Sequence, residues 1–178
     1  MSGTNYFSYF TNVEYTDNSG STKIVTDIFK RVKMRTLSTI IKTAIFYKYT
    51  IQDGERVEDI ANRYYGDTQY YWLILYANDI INIYTQWPRS NSEFNNYIIS
   101  KYESIEGASD TTNELLVHHY EDVVGNWINK SDWDGTPSLK KTIYDWEYSL
   151  NENKREINIV KREYLPQIIK EMNNLFSK

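Results

Sequence analysis

The run from Phe46 to Pro88, FYKYTIQDGERVEDIANRYYGDTQYYWLILYANDIINIYTQWP, leaves few ways for the chain to fold. Tyr47-Lys48-Tyr49-Thr50-Ile51 alternates and is rich in aromatic and β-branched residues, as suits a half-buried strand. Asp53-Gly54 ends it with a turn signal. Val57, Ile60, Ala61 and Tyr64 recur at helical spacing and predict a short helix with one apolar stripe. Gly66 stands at the C′ position, where a residue with positive φ commonly stops a helix. Asp67 or Thr68 can cap a second helix, predicted to turn Tyr71, Ile74, Leu75 and Asn78 inward with Trp72 beside them. Neither helix is long enough to stand alone in water, so each must pack on the other and on the strand.

Around this block the pattern is mixed. An aromatic head (Tyr6, Phe7, Tyr9, Phe10) precedes a polar loop, Asp17 to Thr22. Residues 24–34 fit a helix through Ile24, Ile28, Phe29 and Val32, yet Ile24-Val25-Thr26 equally suits a strand. Leu37, Ile40, Ile41 and Ala44 predict a short amphipathic helix over 36–44. After Pro88, Ser90 or Asn91 can cap a helix whose face is Phe94, Tyr97, Ile98 and Tyr102. A polar linker from Ser104 to Asn113 is the expected internal boundary. Residues 115–128 predict a hairpin turning near Gly125-Asn126. Tyr144, Trp146, Tyr148 and Leu150 alternate and predict a strand, paired through the Asn151–Lys154 turn with Ile157-Asn158-Ile159-Val160. Leu165, Ile168, Ile169, Met172, Leu175 and Phe176 predict a terminal helix, with Pro166 tolerated in its first turn.

Composition removes several function classes. Cysteine is absent, so no disulfide or thiolate metal site can form. The formal charge is −4 and no basic run exceeds three residues, which disfavours a nucleic-acid surface. No stretch reaches the apolar length of a membrane span, and the first residues lack the layout of an export signal. Tyrosine is the outlier at 17 residues. Rings with a polar tip are enriched at protein interfaces, so the composition suits a chain surrounded by partners.

The 46–88 block resembles a lysin-motif (LysM) domain, a small βααβ module. Tyr49-Thr50-Ile51, Asp53-Gly54-Glu55, Ile60-Ala61, Tyr65-Gly66-Asp67 and Leu75, Ala77, Asn78 carry the likeness. Further blocks extend it: Val25 to Val32; Asn78-Asp79-Ile80 and Trp87-Pro88; His118-His119-Tyr120-Glu121; and Asn151 to Ile157 with the terminal helix. In this order they resemble the baseplate wedge protein 53 family of contractile-tailed bacteriophages. That resemblance implies a virion component of the tail baseplate, assembled in the host cytoplasm. It implies a subunit that clamps neighbouring wedge subunits and helps close the ring around the hub, with the LysM-like domain serving protein contacts. The implied partners are other wedge proteins, neighbouring wedges and hub or sheath-initiator proteins, with multiple copies in a symmetric assembly.

Three constellations could carry chemistry instead. Adjacent His118 and His119 on a regular strand point to opposite faces and cannot share a metal without a break in the strand, and no other His or Cys exists to complete a site. One packed inward and bonded, the other at an interface or in solvent, is the expected arrangement. Glu55, Glu58, Asp59, Glu121, Asp122, Asp145 and Glu147 could supply a glycosidase pair, but solvated faces and helix ends account for such charges. Asp53-Gly54-Glu55 and Asn78-Asp79 correspond to loops that line the sugar groove of glycan-binding LysM domains, which makes a peptidoglycan-binding module the alternative function. Against it, residues 83–88 lack the glycine-containing turn and closing strand of those domains.

The expected fold is therefore α+β: an N-terminal arm with short helices (1–44), a central LysM-like βααβ domain (45–90), a connecting helix (91–106), and C-terminal hairpins with an amphipathic helix (107–178). No enzyme activity, cofactor or metal is expected. Contact with partners is expected through Tyr6, Phe7, Tyr9, Phe10, Trp87, Tyr144, Trp146 and Phe176, since a few aromatic anchors usually dominate interface energy.

Overall fold

A computed structural model describes residues 5–28, 45–102 and 116–176. The helix expected over 36–44 and the linker expected at 104–113 lie outside the described residues. In chain order, a 3-10 turn (Tyr6–Tyr9) precedes β1 (Asn12–Thr16), β2 (Thr22–Thr26), β3 (Phe46–Thr50), α1 (Val57–Tyr65), α2 (Tyr71–Ala77), α3 (Ile83–Gln86) and α4 (Asn91–Tyr102). Then come β4 (Val117–Glu121), β5 (Trp127–Ile128), β6 (Lys140–Thr142), α5 (Ile143–Glu152), β7 (Glu156–Val160) and α6 (Leu165–Phe176). The content is mixed helix and sheet, an α+β chain, divided into two compact units: residues 1–50, 55–83 and 157–178 form one, and 51–54 with 84–156 the other.

In the first unit, β3 pairs with β7. The carbonyl of Ile45 accepts from Lys161, and at the far end Ile51 donates to the carbonyl of Arg155, so the pair runs antiparallel. The second strand of the β3-α1-α2 arrangement thus comes from residues 156–160; within 79–88 the chain forms only the short helix α3. Helix α1 ends at Gly66, whose φ of 82° lets its N–H reach the carbonyl of Asn62. Val57, Ile60 and Ala61 of α1 are buried, with Leu73 and Ile74 of α2, Ile159 and Val160 of β7, and Ile168 and Met172 of α6. Helix α2 buries Trp72, Leu73 and Ile74, while Tyr71 and Leu75, expected to face inward, are half-buried.

Asn78 fastens this core. Its amide donates to the carbonyls of Ile74 and Asn158, both at 2.8 Å, and its oxygen accepts from the N–H of Asn158 at 2.7 Å. One side chain therefore closes α2 and holds β7 beside it. Asn78→Ala is expected to cost about 1–2 kcal/mol, because three backbone groups lose their partner and some regain water. Urea unfolding followed by far-UV circular dichroism measures this.

The second unit corrects the strand expected at 144–150. Residues 143–152 are helical, opened by a capping box in which Thr142 accepts from the N–H of Asp145 and Asp145 accepts from the N–H of Thr142. The buried residues of α5 are Glu147 and Asn151, spaced four apart on one face. A polar buried stripe leaves no apolar helical period, so the ring at every second position imitates a strand. The hairpin expected near Gly125-Asn126 is present as β4 and β5, with β6 on the other side of β4. Ser90 caps α4 by accepting from Glu93, whose carboxylate accepts from the N–H of Ser90. Phe94 and Ile98 are the buried residues of that helix.

Candidate functional site

The aromatic residues expected to meet partners fall into different environments. In the first unit, Tyr9 and Phe10 are buried, and their rings meet Phe176, itself buried, at centroid distances of 6.3 and 4.5 Å. Tyr6 and Tyr9 also lie against Trp72, at 5.6 and 6.0 Å. This cluster docks the N-terminal turn onto α2 and α6. Phe7 is exposed and Tyr6 half-buried. In the second unit, Tyr144 packs edge-on against Phe94 and stacks on Tyr148, Trp146 stacks on His118, and Trp87 is half-buried.

Further apolar exposure lies on a different element. Every residue of β1 and β2 is exposed. Their register, Val13 opposite Val25 and Tyr15 opposite Lys23, gathers Val13, Tyr15, Lys23 and Val25 on one face. The other face carries Glu14 opposite Ile24 between two polar pairs: Thr16 and Thr22 hydroxyls 3.2 Å apart, and Thr26 donating to Asn12 at 3.3 Å. Two-stranded ribbons are marginal in water without a covering layer. Sequence reasoning left residues 24–34 open between helix and strand and assigned no strand to 12–16, because neither strand face is uniformly apolar.

Two further apolar points were missed. Val123 and Val124 form the tip of the β4–β5 turn, which Asp122 holds by accepting from the N–H groups of Val124 and Asn126. Two valines between Asp122 and Gly125, where turns are usually polar, were the available signal. Ile81 and Tyr84 are also almost wholly exposed.

The histidine pair departs from the regular-strand expectation. The ladder between β4 and β6 shifts register between Val117 and His119, so His118 is an extra residue on β4. This bulge is the break that brings both rings to one place, with Nδ1 atoms 2.8 Å apart. His119 is buried and its Nε2 lies 3.0 Å from the Glu121 carboxylate, while His118 is exposed. Trp127 stacks on His119 and Trp146 on His118, at 4.4 and 5.1 Å. Partial desolvation, with His119 alongside, holds the His118 pKa below its ordinary value. Among the described residues no group of three or more His, Asp or Glu could hold a metal ion.

Six of the seven carboxylates weighed as catalytic, all but Asp59, have side-chain partners within the chain. Glu55 accepts from Tyr49 at 2.7 Å and pairs with Arg63. Glu58 pairs with Arg56 at 3.5 Å. Asp122 and Asp145 hold the turn and the helix cap just described, and Glu121 meets His119 and Lys141. Buried Glu147 accepts from Lys101, from Tyr102 at 2.6 Å and from Tyr97 at 3.3 Å. Burial pushes its pKa up, but the bonds from Lys101 and Tyr102 outweigh this and hold it below the usual carboxylate value. Among the described residues no helix is long and apolar enough to cross a membrane.

Exposed apolar groups thus lie on the β1–β2 ribbon, at the β4–β5 turn, and at Phe7, Ile81 and Tyr84. The chain is 26% identical over 200 residues to the baseplate wedge protein gp53 of Enterobacteria phage T4, an alignment covering 97% of this chain and 96% of that protein. Residues 5–175, spanning both units, match the family described as base plate wedge protein 53, and the chain belongs to that family.

Proposed function

We propose that this chain is a structural subunit of a phage tail baseplate wedge that clamps neighbouring wedge subunits and helps close the ring around the hub. The observation that carries the reading is the family match over residues 5–175. Exposed apolar groups support a role in protein contact: the β1–β2 ribbon, Phe7, and the Val123-Val124 tip. The mechanism is burial of these groups against other wedge proteins, assembly replacing water at several points of one chain. No catalytic step belongs to this reading.

The glycan-binding alternative has less support. Asp53 accepts from the N–H of Asn91 and pairs with Arg155, Glu55 is held by Tyr49 and Arg63, and Asn78 is held by Ile74 and Asn158. Of the polar side chains corresponding to a sugar-lining set, Asp53, Glu55 and Asn78 are thus engaged within the chain, while Asp79 is exposed.

Mass spectrometry and immunogold labelling of intact particles test the proposal. The expected result is the chain at the baseplate, with no retention on insoluble peptidoglycan in a pull-down. Its absence from particles, combined with retention on peptidoglycan, would replace this reading with the alternative.

A further inference from the structure

Among the described residues the β1–β2 ribbon pairs with no third strand, so both its backbone edges are open. Asp17 donates to the carbonyl of Ser21 and Asp27 to that of Thr11, so these opposed residues are hydrogen-bonded pairs. In an antiparallel ladder such pairs alternate. With the observed register, Val13–Val25 and Tyr15–Lys23 turn their N–H and C=O groups toward each other. Glu14 on β1, and Ile24 and Thr26 on β2, turn theirs outward.

The two edges differ. At the centre of the β1 edge stands Glu14, a charge of the kind that guards an edge from pairing. At the centre of the β2 edge stands Ile24, 71% exposed, in a strand without proline or bulge. The one charge within β2 is Lys23, whose side chain is 65% exposed. It pairs with Asp17 Oδ2 at 3.5 Å, while the other oxygen of Asp17 accepts from the N–H groups of Ser19 and Ser21, and the exposed side of the ammonium can take a second carboxylate.

We propose that the β2 edge is completed by an extended strand of another baseplate subunit, carrying an acidic residue beside Lys23 and an apolar one beside Val25. The proposal rests on the baseplate reading above. An added strand pairs the outward groups of Ile24 and Thr26, widens the Val13-Val25-Tyr15 face, and brings a second carboxylate to the exposed Lys23 ammonium beside Asp17. Two copies of this chain meeting β2 to β2 are related by a two-fold axis, which pairs copies off and does not propagate around a ring.

Proline distinguishes the edges. At position 24 or 14 it removes an outward N–H and leaves the β1–β2 ladder intact. The full chain, as wild type, Ile24→Pro and Glu14→Pro, is co-expressed with the other wedge proteins of its phage, and assembled wedges are isolated by sedimentation. Both variants are expected to keep the wild-type far-UV spectrum. Glu14→Pro incorporates like wild type, while Ile24→Pro loses incorporation on the order of tenfold or more, as expected for removal of about 1.4 kcal/mol. Equal incorporation of Ile24→Pro and wild type overturns the proposal, as does equal loss in both variants. A dimer of the free protein that Ile24→Pro dissolves overturns the choice of occupant. Failure of wild type itself to enter wedges counts instead against the baseplate reading.

Hydrogen exchange on wild type gives a readout independent of variant folding. The amides of Ile24 and Thr26 are expected to exchange faster than those of Lys23 and Val25 in the free chain and to slow to match them on assembly. Unchanged exchange at Ile24 and Thr26 in assembled wedges overturns the proposal.

Discussion

Replacing Trp72 by alanine is expected to destabilise the first unit by about 3–5 kcal/mol, in the range found for large aromatic truncations in cores. The indole is 4% exposed and lies between α2 and the N-terminal turn, touching Tyr6 and Tyr9. Its removal opens a cavity among rings that also hold Phe10 and Phe176. Relaxation is limited because α2 is pinned at its end by Asn78. The indole Nε1 is buried and has no acceptor among the described residues. Burying that N–H offsets part of what the ring contributes. Trp72→Phe, which keeps an aromatic ring and drops the N–H, is therefore expected to cost less than about 1.5 kcal/mol. Urea unfolding by circular dichroism measures both, fitted with two transitions if the units separate. A loss below about 1 kcal/mol for Trp72→Ala would assign the ring to a surface instead.

Glu147→Gln is expected to cost the second unit about 2–3 kcal/mol. The carboxylate gathers Lys101 and Tyr102 from α4, and with them the contact of α4 with α5. An amide is neutral and gives Lys101 no counter-charge. Lys101 is 43% exposed at its side chain and recovers some water, which keeps the loss below that of a fully buried broken pair. The pH dependence has a definite sign. Since the folded-state pKa of Glu147 lies below its ordinary value, its contribution is complete above about pH 4.3, the unperturbed glutamate value, and fades as pH falls through the folded pKa. The gap in melting temperature between wild type and Glu147→Gln should therefore hold at neutral pH and narrow in acid. A gap that widens in acid would contradict the lowered pKa.

Elements with local punctuation could be read from the residues. Gly66 stops α1, the Ser90–Glu93 box starts α4, and the stripe through Ile168 and Met172 places α6. Helix α5 escaped because its buried positions are Glu147 and Asn151, which no hydrophobic period registers. Its start was nevertheless written in Thr142 and Asp145. Strand β7 was placed correctly, but its partner was sought in the nearest strand-like segment, since a local hairpin is the simplest closure. Position alone gives no sign that β3 waits for it. The histidine cluster depends on a one-residue bulge, an event of pairing that side-chain identity does not encode. Of the proposed contact surface, the abundance of rings was visible, but Tyr9, Phe10 and Phe176 lie within the core. The exposed ribbon could be recognised only once its register was known.

The pairing of β3 with β7 also sets a timetable for synthesis. Ile51 and Arg155, joined across that ladder, stand 104 positions apart, so the contact is among the least local in the molecule. Closing so long a loop is slow relative to forming neighbouring helices. On the ribosome, Phe46 to Thr50 emerges long before the strand that satisfies it, and α1 and α2 must wait with their apolar faces uncovered. Residues 84–156 can meanwhile assemble, all of them translated before Ile157. The first unit is thus the last to mature, although its chain is made first.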